Sequence, residues 1–218
     1  MPEIIRIGLL DADEDIRFGR KLLFTSLAET EVVFDSDGSS SDIEAIQDSL
    51  IDVLVINQKL TTGPGVDFYS KLRELAGIKQ APPAIITASY FQPALLLEAL
   101  QVGVFNVVAI EQGAGALVDA VQSAIAKDDA YSLAALKKLS SSQPHVRAVD
   151  VNFVNLVDQL PEKLASNLRR LKSTWQKTDA AKLELCDLDS LKELVSRLPV
   201  ANATELVFTL DRSGLLDG

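Results

Sequence analysis

The stretch "DVLVINQKL", residues 52–60, reads as a short strand that runs into a loop. Its consecutive apolar residues at 53–56 indicate a strand that is covered on both faces, as in a parallel sheet between helices. The residue at the exit of this strand is Asn57. Functional side chains of open parallel sheets gather at the carboxyl ends of the strands, so Asn57 is the first candidate site residue.

Residues 1–127 carry four further short apolar runs, separated by segments with apolar residues at helical spacing. The runs span 4–10, 31–35, 83–88 and 105–110, and the segments span 14–28, 41–50, 65–76, 91–103 and 115–127. Five strands that alternate with five helices predict a doubly wound α/β domain with a five-stranded parallel sheet of the flavodoxin or CheY type.

Charge divides the chain into two modules. The 218 residues carry a formal charge of −10; residues 1–130 hold 9 basic and 20 acidic residues, whereas residues 131–218 hold 12 and 11. The first part should repel nucleic acid, and the second is at least neutral to it. We predict a domain over 1–127, a helical extension and linker over 128–150, and a smaller, mainly α-helical domain over 151–218.

Several classes of protein are excluded by the sequence. One cysteine, Cys186, leaves no disulfide framework and no zinc site of the usual spacing, and the lone His145 follows a serine-rich stretch typical of a loop. No acid–base pair, nucleophile triad or phosphate-cradling loop is recognisable, so we expect neither an enzyme nor a cofactor. The N-terminal apolar run is too short for a signal peptide and no stretch could span a membrane, which predicts a soluble cytoplasmic protein.

Polar residues follow the other strands too. "DADED" at 11–15 follows the first strand, Thr87 ends the fourth, and Ile110 ends the fifth. An acidic cluster at a strand exit suits either a divalent cation or the positive end of the following helix. Both interpretations stay open on sequence alone.

The order of elements and the stretch "DVLVINQKL…GPGVDFYSKLR" resemble the receiver domain of bacterial response regulators, the CheY-like family, over residues 4–127. The resemblance implies an acidic pair after strand one that binds magnesium and an aspartate after strand three that accepts a phosphoryl group. It also implies a Thr or Ser after strand four, a lysine after strand five, and an aromatic residue inside strand five that changes rotamer on activation.

Carried onto this sequence, most of these chemical positions are changed together. Thr87 matches, while the changed positions are Asp11-Ala12 for the acidic pair (with Asp13 adjacent), Asn57 for the phosphoacceptor, Ile110 for the lysine and Val107 for the aromatic. A carboxamide is a far weaker nucleophile than a carboxylate, a missing carboxylate weakens a magnesium site, and isoleucine offers no positive charge. We therefore expect a degenerate pseudo-receiver that binds no metal and accepts no phosphoryl group, with Asp11 and Asp13 as vestigial ligands.

The second module shows amphipathic helices. Leu164, Leu168, Leu171 and Trp175 form an apolar stripe in a helix that ends near 177, and a second helix is predicted over 187–199. In the last segment, Asn202 and Glu205 have the spacing of a capping box. Residues 161–218 resemble a winged helix-turn-helix, which implies a nucleic-acid or partner surface. Its candidate contact residues are Arg169, Arg170, Lys172, Lys177, Thr204, Phe208 and Arg212.

Two functions follow from this organisation. The first is a phosphorylation-independent signalling protein that acts through protein–protein contacts, with homodimerisation left open. The alternative is a phosphorylation-independent transcription regulator that binds DNA. The predicted solvent face of the last helix, with Glu205, Phe208 and Asp211 beside Arg212, is poorly suited to a major groove, so DNA is the less favoured partner.

Overall fold

The computed structural model describes residues 4–77, 80–126, 151–177, 188–200, 202–213 and residue 215. The chain divides into two compact units, residues 1–128 and 129–218, and each is treated by itself. The predicted linker at 128–150 lies outside the described residues.

The first unit is built on a parallel sheet of five strands in the order β2-β1-β3-β6-β7. The chain contributes β1 (Ile5–Leu10), β2 (Thr30–Ser36), β3 (Val53–Asn57), β6 (Ala84–Ala88) and β7 (Asn106–Ala109), with a separate two-stranded hairpin of β4 (Lys59–Leu60) and β5 (Gly63–Pro64). The strand order reverses next to β1, which places a crevice at the carboxyl ends of β1 and β3. The predicted fold class is confirmed by this topology.

Five helices of the first unit connect these strands. They are α1 (Glu14–Thr25), α2 (Asp42–Asp48), α3 (Gly65–Ala76), α4 (Pro93–Gln101) and α5 (Gly113–Ala126), and a 3₁₀ turn at Ile110–Gln112 precedes α5. Four predicted helical segments contain one helix each, and α5 begins two residues before the predicted segment 115–127. The alternation of strand and helix follows the switch in apolar spacing from continuous runs to helical periodicity.

The core under α1 and α5 explains why these strands read as unbroken apolar runs. Alternate residues of β1 and β3 face this side of the sheet, where α1 contributes Phe24. The buried cluster comprises Ile7, Leu9, Phe24, Val53, Val55, Ile85, Phe105, Val108, Leu117, Ala120, Val121 and Ala124. The intervening strand residues are buried as well, for example Leu54 and Ile56 at 0% exposure, so both faces of the sheet are covered.

A close approach at Gly65 fixes the connection between β3 and α3. A Cβ atom at this position would lie 2.2 Å from the backbone oxygen of Asn57, a distance that only glycine avoids. The amide of Gly65 donates a hydrogen bond to the Gln58 carbonyl at 2.9 Å. Gly65 therefore sets the position of α3 against the end of β3, and the sequence did not predict this contact.

The second unit is helical in the residues that the structure describes, with α6 (Val151–Asp158), α7 (Glu162–Lys177), α8 (Leu188–Arg197) and α9 (Ala203–Arg212). Leu164 and Leu171 on α7 are buried, as are Leu194 and Leu198. Asn202 caps α9, its side chain accepting a hydrogen bond from the Glu205 amide at 2.8 Å. Nothing is described for the side chain of Trp175, and Cys186 and Gly214 lie outside the described residues.

Among the described residues, none of the helices combines the length and the apolar character needed to cross a membrane.

Candidate functional site

The carboxylate of Asp11 is the centre of the crevice at the carboxyl end of the sheet. Asp11 is 1% exposed. Its Oδ2 accepts hydrogen bonds from Arg20 Nη1 and from Asn57 Nδ2, both at 2.5 Å. Its Oδ1 accepts one from the backbone amide of Asp13 at 2.9 Å. Three protein donors therefore surround one buried carboxylate.

Strand register brings these residues together. Leu10 pairs with Ile56 and Asn57 pairs with Thr87, so the exits of β1, β3 and β6 lie side by side. Asn57 Oδ1 accepts a hydrogen bond from the Lys59 amide at 3.0 Å, which leaves the Asn57 amide group turned toward Asp11. The carboxamide is thereby held in one orientation by both of its ends.

Arg20 supplies the positive charge of the site from α1. It lies one helical turn before Phe24, and both residues are buried on the inner side of the helix. Burial lowers the pKa of the Arg20 guanidinium, and the Asp11 carboxylate opposes that shift. Arginine keeps its charge at any physiological pH, so Arg20 and Asp11 form a buried ion pair.

Asp13 serves the helix rather than the crevice. Its side chain accepts hydrogen bonds from the amides of Asp15 at 3.0 Å and Ile16 at 3.1 Å, which makes it the N-cap of α1. Of the two interpretations that the sequence left open for the acidic cluster, the structure gives Asp13 the capping role. Ala12, beside it, is exposed.

The remaining predicted positions are only partly brought to the crevice. Thr87 is 2% exposed, and its hydroxyl donates a long hydrogen bond of 3.5 Å to the Ile56 carbonyl. Val107 is buried in β7 at 3% exposure, whereas Ile110 is half exposed at 50%. The position that a receiver fills with lysine thus carries an apolar side chain in contact with solvent.

A magnesium ion does not fit this set of donors. The one carboxylate that faces the crevice, Asp11, already accepts from Arg20, Asn57 and the Asp13 amide, and a cation would have to displace the guanidinium. Magnesium requires several oxygen ligands in octahedral geometry. Within the part of the chain that the structure describes, no group of three or more His, Cys, Asp or Glu residues is placed to hold a metal ion.

The predicted contact residues of the second unit have mixed outcomes. Arg169 and Arg170 are exposed on α7, and Lys172 is half-buried. Arg169 donates to Glu162 at 2.8 Å, and this hydrogen bond lowers the pKa of Glu162 and raises that of Arg169. Nothing is described for the side chains of Lys177, Thr204 and Arg212.

The prediction that Phe208 and Glu205 face solvent is wrong. Phe208 is 4% exposed and Glu205 is 7% exposed. The helical spacing assigned only one apolar stripe to α9, but buried residues lie all around its axis, as expected for an interior helix. The buried positions are Ala203, Glu205, Leu206, Val207, Phe208 and Leu210.

Arg20 is the site residue that sequence reasoning missed. It lies four residues after Ile16 and three before Leu23, within the helical stripe that predicts the buried side of α1. A basic residue on an apolar stripe was the available signal, because a buried charge in a protein is almost always paired.

No family model matches the chain, and no curated protein matches it. Among solved structures, it is similar to a LuxR-family two-component response regulator from Aurantimonas sp. SI85-9A1, with 22% identity, a TM-score of 0.52, and coverage of 57% of this chain and 86% of that one. The response regulator domain of Thermotoga maritima CheB has 19% identity and a TM-score of 0.51, covering 57% and 98%. A DNA-binding LuxR-family response regulator from Staphylococcus aureus has 15% identity and a TM-score of 0.51, covering 56% and 99%.

The first unit has the receiver fold. The sheet order and the helices on both faces agree with these structures, and the resemblance found in the sequence is confirmed at the level of the fold. In the receiver fold the phosphoaccepting aspartate follows the third strand, where this chain has Asn57.

Proposed function

We propose that the chain is an atypical, cytoplasmic response regulator whose pseudo-receiver unit signals through protein contacts and takes no phosphoryl group. A linker over 128–150 would join it to the C-terminal helical unit. The observation that supports this function is the state of the Asp11 carboxylate, which accepts from Arg20, from Asn57 and from the Asp13 amide. The donors of the chain itself take the place that a receiver gives to metal and phosphoryl group.

Phosphoryl transfer in a receiver needs a carboxylate nucleophile at the exit of β3. Asn57 has no anionic form there, and its carboxamide already makes hydrogen bonds at both ends. The developing charge of the transferred group would also lack a cation, because Ile110 replaces the lysine and Arg20 is paired with Asp11. Two separate requirements of the reaction, the nucleophile and the cation, are therefore not supplied by these residues.

The same substitutions favour a single conformation. Several carboxylates in one crevice repel each other, and a receiver offsets that repulsion with a metal ion and a lysine. Here one carboxylate is neutralised by one guanidinium, so no external ion is needed to hold the crevice together. We expect the unit to keep one shape and to present a constant surface to its partner.

Exposed apolar side chains support contacts with another protein. Phe18 and Leu22 lie four residues apart on α1, on the same side of the helix, at 60% and 55% exposure. Scattered exposed apolar residues are ordinary on a protein surface, so the support lies in these two being neighbours on one helix face.

A spectroscopic titration tests the proposal. Amide spectra of the full ¹⁵N-labelled chain are recorded with Mg²⁺ alone, and then with Mg²⁺ and beryllium fluoride or acetyl phosphate. We expect no saturable shift at Asn57 or Thr87. The double variant Ala12→Asp/Asn57→Asp supplies the two missing carboxylates and should respond to Mg²⁺, which shows that the titration detects a site where ligands exist. A saturable response of the unaltered chain around Asn57 would overturn the proposal.

The second candidate function is a phosphorylation-independent regulator that binds DNA. Its support is the exposed pair Arg169 and Arg170 on α7 in the half of the chain that carries no net negative charge. Acids already contact two of the cations on α7. Arg169 of this pair donates to Glu162, and Lys163 on the same helix donates to Glu193. The correction at Phe208 also removes one of the predicted contacts from the surface.

DNA binding at low salt separates the two functions. Affinity for mixed-sequence DNA that falls steeply as salt rises would support the regulator, because phosphate contacts release counterions. We expect no DNA binding at micromolar protein. We also expect a pull-down with this chain as bait to recover a partner protein or a second copy of the chain. The matched variant Arg169→Ala/Arg170→Ala should then leave partner recovery unchanged.

A further inference from the structure

A cavity of about 340 Å³ lies between α1 and α5 in the first unit, beside the crevice. Ile16 and Leu23 of α1, Val108 of β7 and Leu117 of α5 form apolar parts of its wall. Its volume falls in the range of pockets that hold small organic molecules. The space exists partly because Gly19 lies on the α1 side, where no atom lies within 4 Å of the position of an added Cβ.

Two polar residues line this cavity, and both are buried. They are Arg20, at 9% exposure, and Thr87, at 2%. Among the described residues, the hydrogen bond to Asp11 is the only one that the Arg20 guanidinium makes, although the group has five N–H donors. The Thr87 hydroxyl makes one bond, of 3.5 Å, at the long limit of hydrogen bonding. An acceptor oxygen in the cavity would gain a charge-assisted hydrogen bond from the guanidinium, and such bonds are stronger than those between neutral groups.

Local charge decides what kind of acceptor fits. The positive charge of Arg20 is already matched by Asp11, and Asp13 also acts on Arg20 from nearby. A ligand carboxylate would therefore meet two acids and one cation. An uncharged carbonyl oxygen accepts from the same donors without that repulsion.

We propose that this cavity binds a small, uncharged, mainly apolar molecule that carries a carbonyl oxygen, with the oxygen on Arg20 and the apolar body against Leu23, Val108 and Leu117. This site goes beyond the protein-contact function and does not depend on it. It gives the unit an input of a different chemistry from a phosphoryl group, because the guanidinium that binds the ligand is also the partner of Asp11.

Three probes of one shape test the chemistry on the full chain. Acetophenone carries the carbonyl, cumene replaces it with an apolar group, and benzoate replaces it with a charge. Amide spectra are recorded at equal probe concentrations within the solubility of cumene. We expect acetophenone to reach about fivefold higher occupancy than either analogue, which is the ratio that one net hydrogen bond supports.

A pair of leucine substitutions tests the location. Gly19→Leu places a side chain into the cavity, whereas Gly115→Leu adds the same side chain on α5 at a position that does not line it. Neither added Cβ meets an atom within 4 Å, and both changes raise helix propensity, so both variants should fold. We expect Gly19→Leu to lower acetophenone occupancy at least tenfold and Gly115→Leu to leave it unchanged.

Several results would overturn the proposal. Equal binding of cumene and acetophenone would show that Arg20 donates nothing to the ligand, and tighter binding of benzoate would show an anion site instead. Retained binding in Gly19→Leu, or acetophenone shifts confined to residues away from α1 and α5, would place the site elsewhere.

Discussion

Two arginine–aspartate pairs at opposite ends of the same sheet show how little geometry alone says about an ion pair. Arg6 and Asp52, at the amino ends of β1 and β3, make two side-chain hydrogen bonds of 2.9 and 2.7 Å, with 37% and 30% of their side chains exposed. Arg20 and Asp11, at the carboxyl ends, make one bond of 2.5 Å with side chains 10% and 2% exposed. Arg6 and Asp52 thus have the better hydrogen-bond geometry, although they are the pair whose charges water can solvate.

The difference lies in what happens when one partner is lost. Water can solvate Asp52 in the absence of Arg6, so this pair mainly connects the ends of β1 and β3 and adds little stability. Asp11 without Arg20 would be a buried charge held by an amide and a backbone N–H, which is strongly unfavourable. The crevice pair therefore matters more for the integrity of the unit, although it has fewer hydrogen bonds.

Removal of the buried cation should have the largest effect. Arg20→Met keeps an unbranched apolar stem but leaves the Asp11 carboxylate without a counter-charge, and we expect a loss of about 3–5 kcal/mol in the free energy of unfolding. Chemical denaturation followed by circular dichroism measures it. The double variant Asp11→Asn/Arg20→Met removes both charges and should recover part of the loss. A double variant as unstable as the single one would contradict the interpretation.

Restoration of the acid at the exit of β3 should have the next largest effect. Asn57→Asp removes a donor from Asp11 and sets two carboxylates against one guanidinium, for an expected cost of about 1–3 kcal/mol at pH 7. Repulsion raises a carboxyl pKa in the folded state, so that state binds more protons and the variant should regain stability as pH falls toward 5. Denaturation of both proteins at pH 7 and pH 5 tests this. A cost that does not shrink at the lower pH would count against a charge origin.

The half-exposed pair should respond more weakly. The hydrogen bond from Arg6 lowers the pKa of Asp52, with burial opposing it. Asp52→Asn should therefore cost about 1 kcal/mol near neutral pH. Because the folded pKa is below the unfolded value of about 3.9, the difference from the unaltered chain should persist above that pH and disappear as pH falls through the folded pKa. A difference that grows in acid would have the wrong sign.

The exposed pair on α7 completes the series with the smallest effect. Arg169 and Glu162 are 67% and 80% exposed. Glu162→Gln should leave the melting temperature unchanged within error at 0.15 M salt, because screening and side-chain entropy offset the attraction. Calorimetry of the two proteins side by side checks it. A shift as large as that of Asp52→Asn would show that burial does not order these three pairs.

The sheet was predictable because its strands are covered on both faces. Unbroken short apolar runs such as 53–56 indicate strands that are buried on both faces. Their alternation with segments of helical periodicity predicts a doubly wound α/β sheet. The hairpin of β4 and β5 was not predictable, since each strand has two residues and no periodicity can form over that length. The prediction for Phe208 was wrong because its helix is buried all around. Such a helix has no polar face from which the buried side can be assigned.

The candidate site was only half predictable. Asp11, Asn57 and Thr87 follow from strand exits, since parallel strands end at one edge. Asp11 accepts hydrogen bonds from Asn57 and from Arg20. These contacts depend on side-chain direction and on the rotation of α1 about its axis, and residue spacing predicts neither. The sequence predicts that the phosphoryl chemistry is lost, whereas the contact of Arg20 with Asp11 is known only from the structure.

A cation that belongs to the chain differs from a bound ion in one further way. An ion occupies a site according to its concentration in the cell, whereas the guanidinium of Arg20 is held beside Asp11 at an effective concentration fixed by the fold. The pair cannot be diluted, chelated or outcompeted at ordinary ion levels. Under the proposed function, the state of the crevice would not follow metal supply, and a signal would have to act on the position of α1 itself.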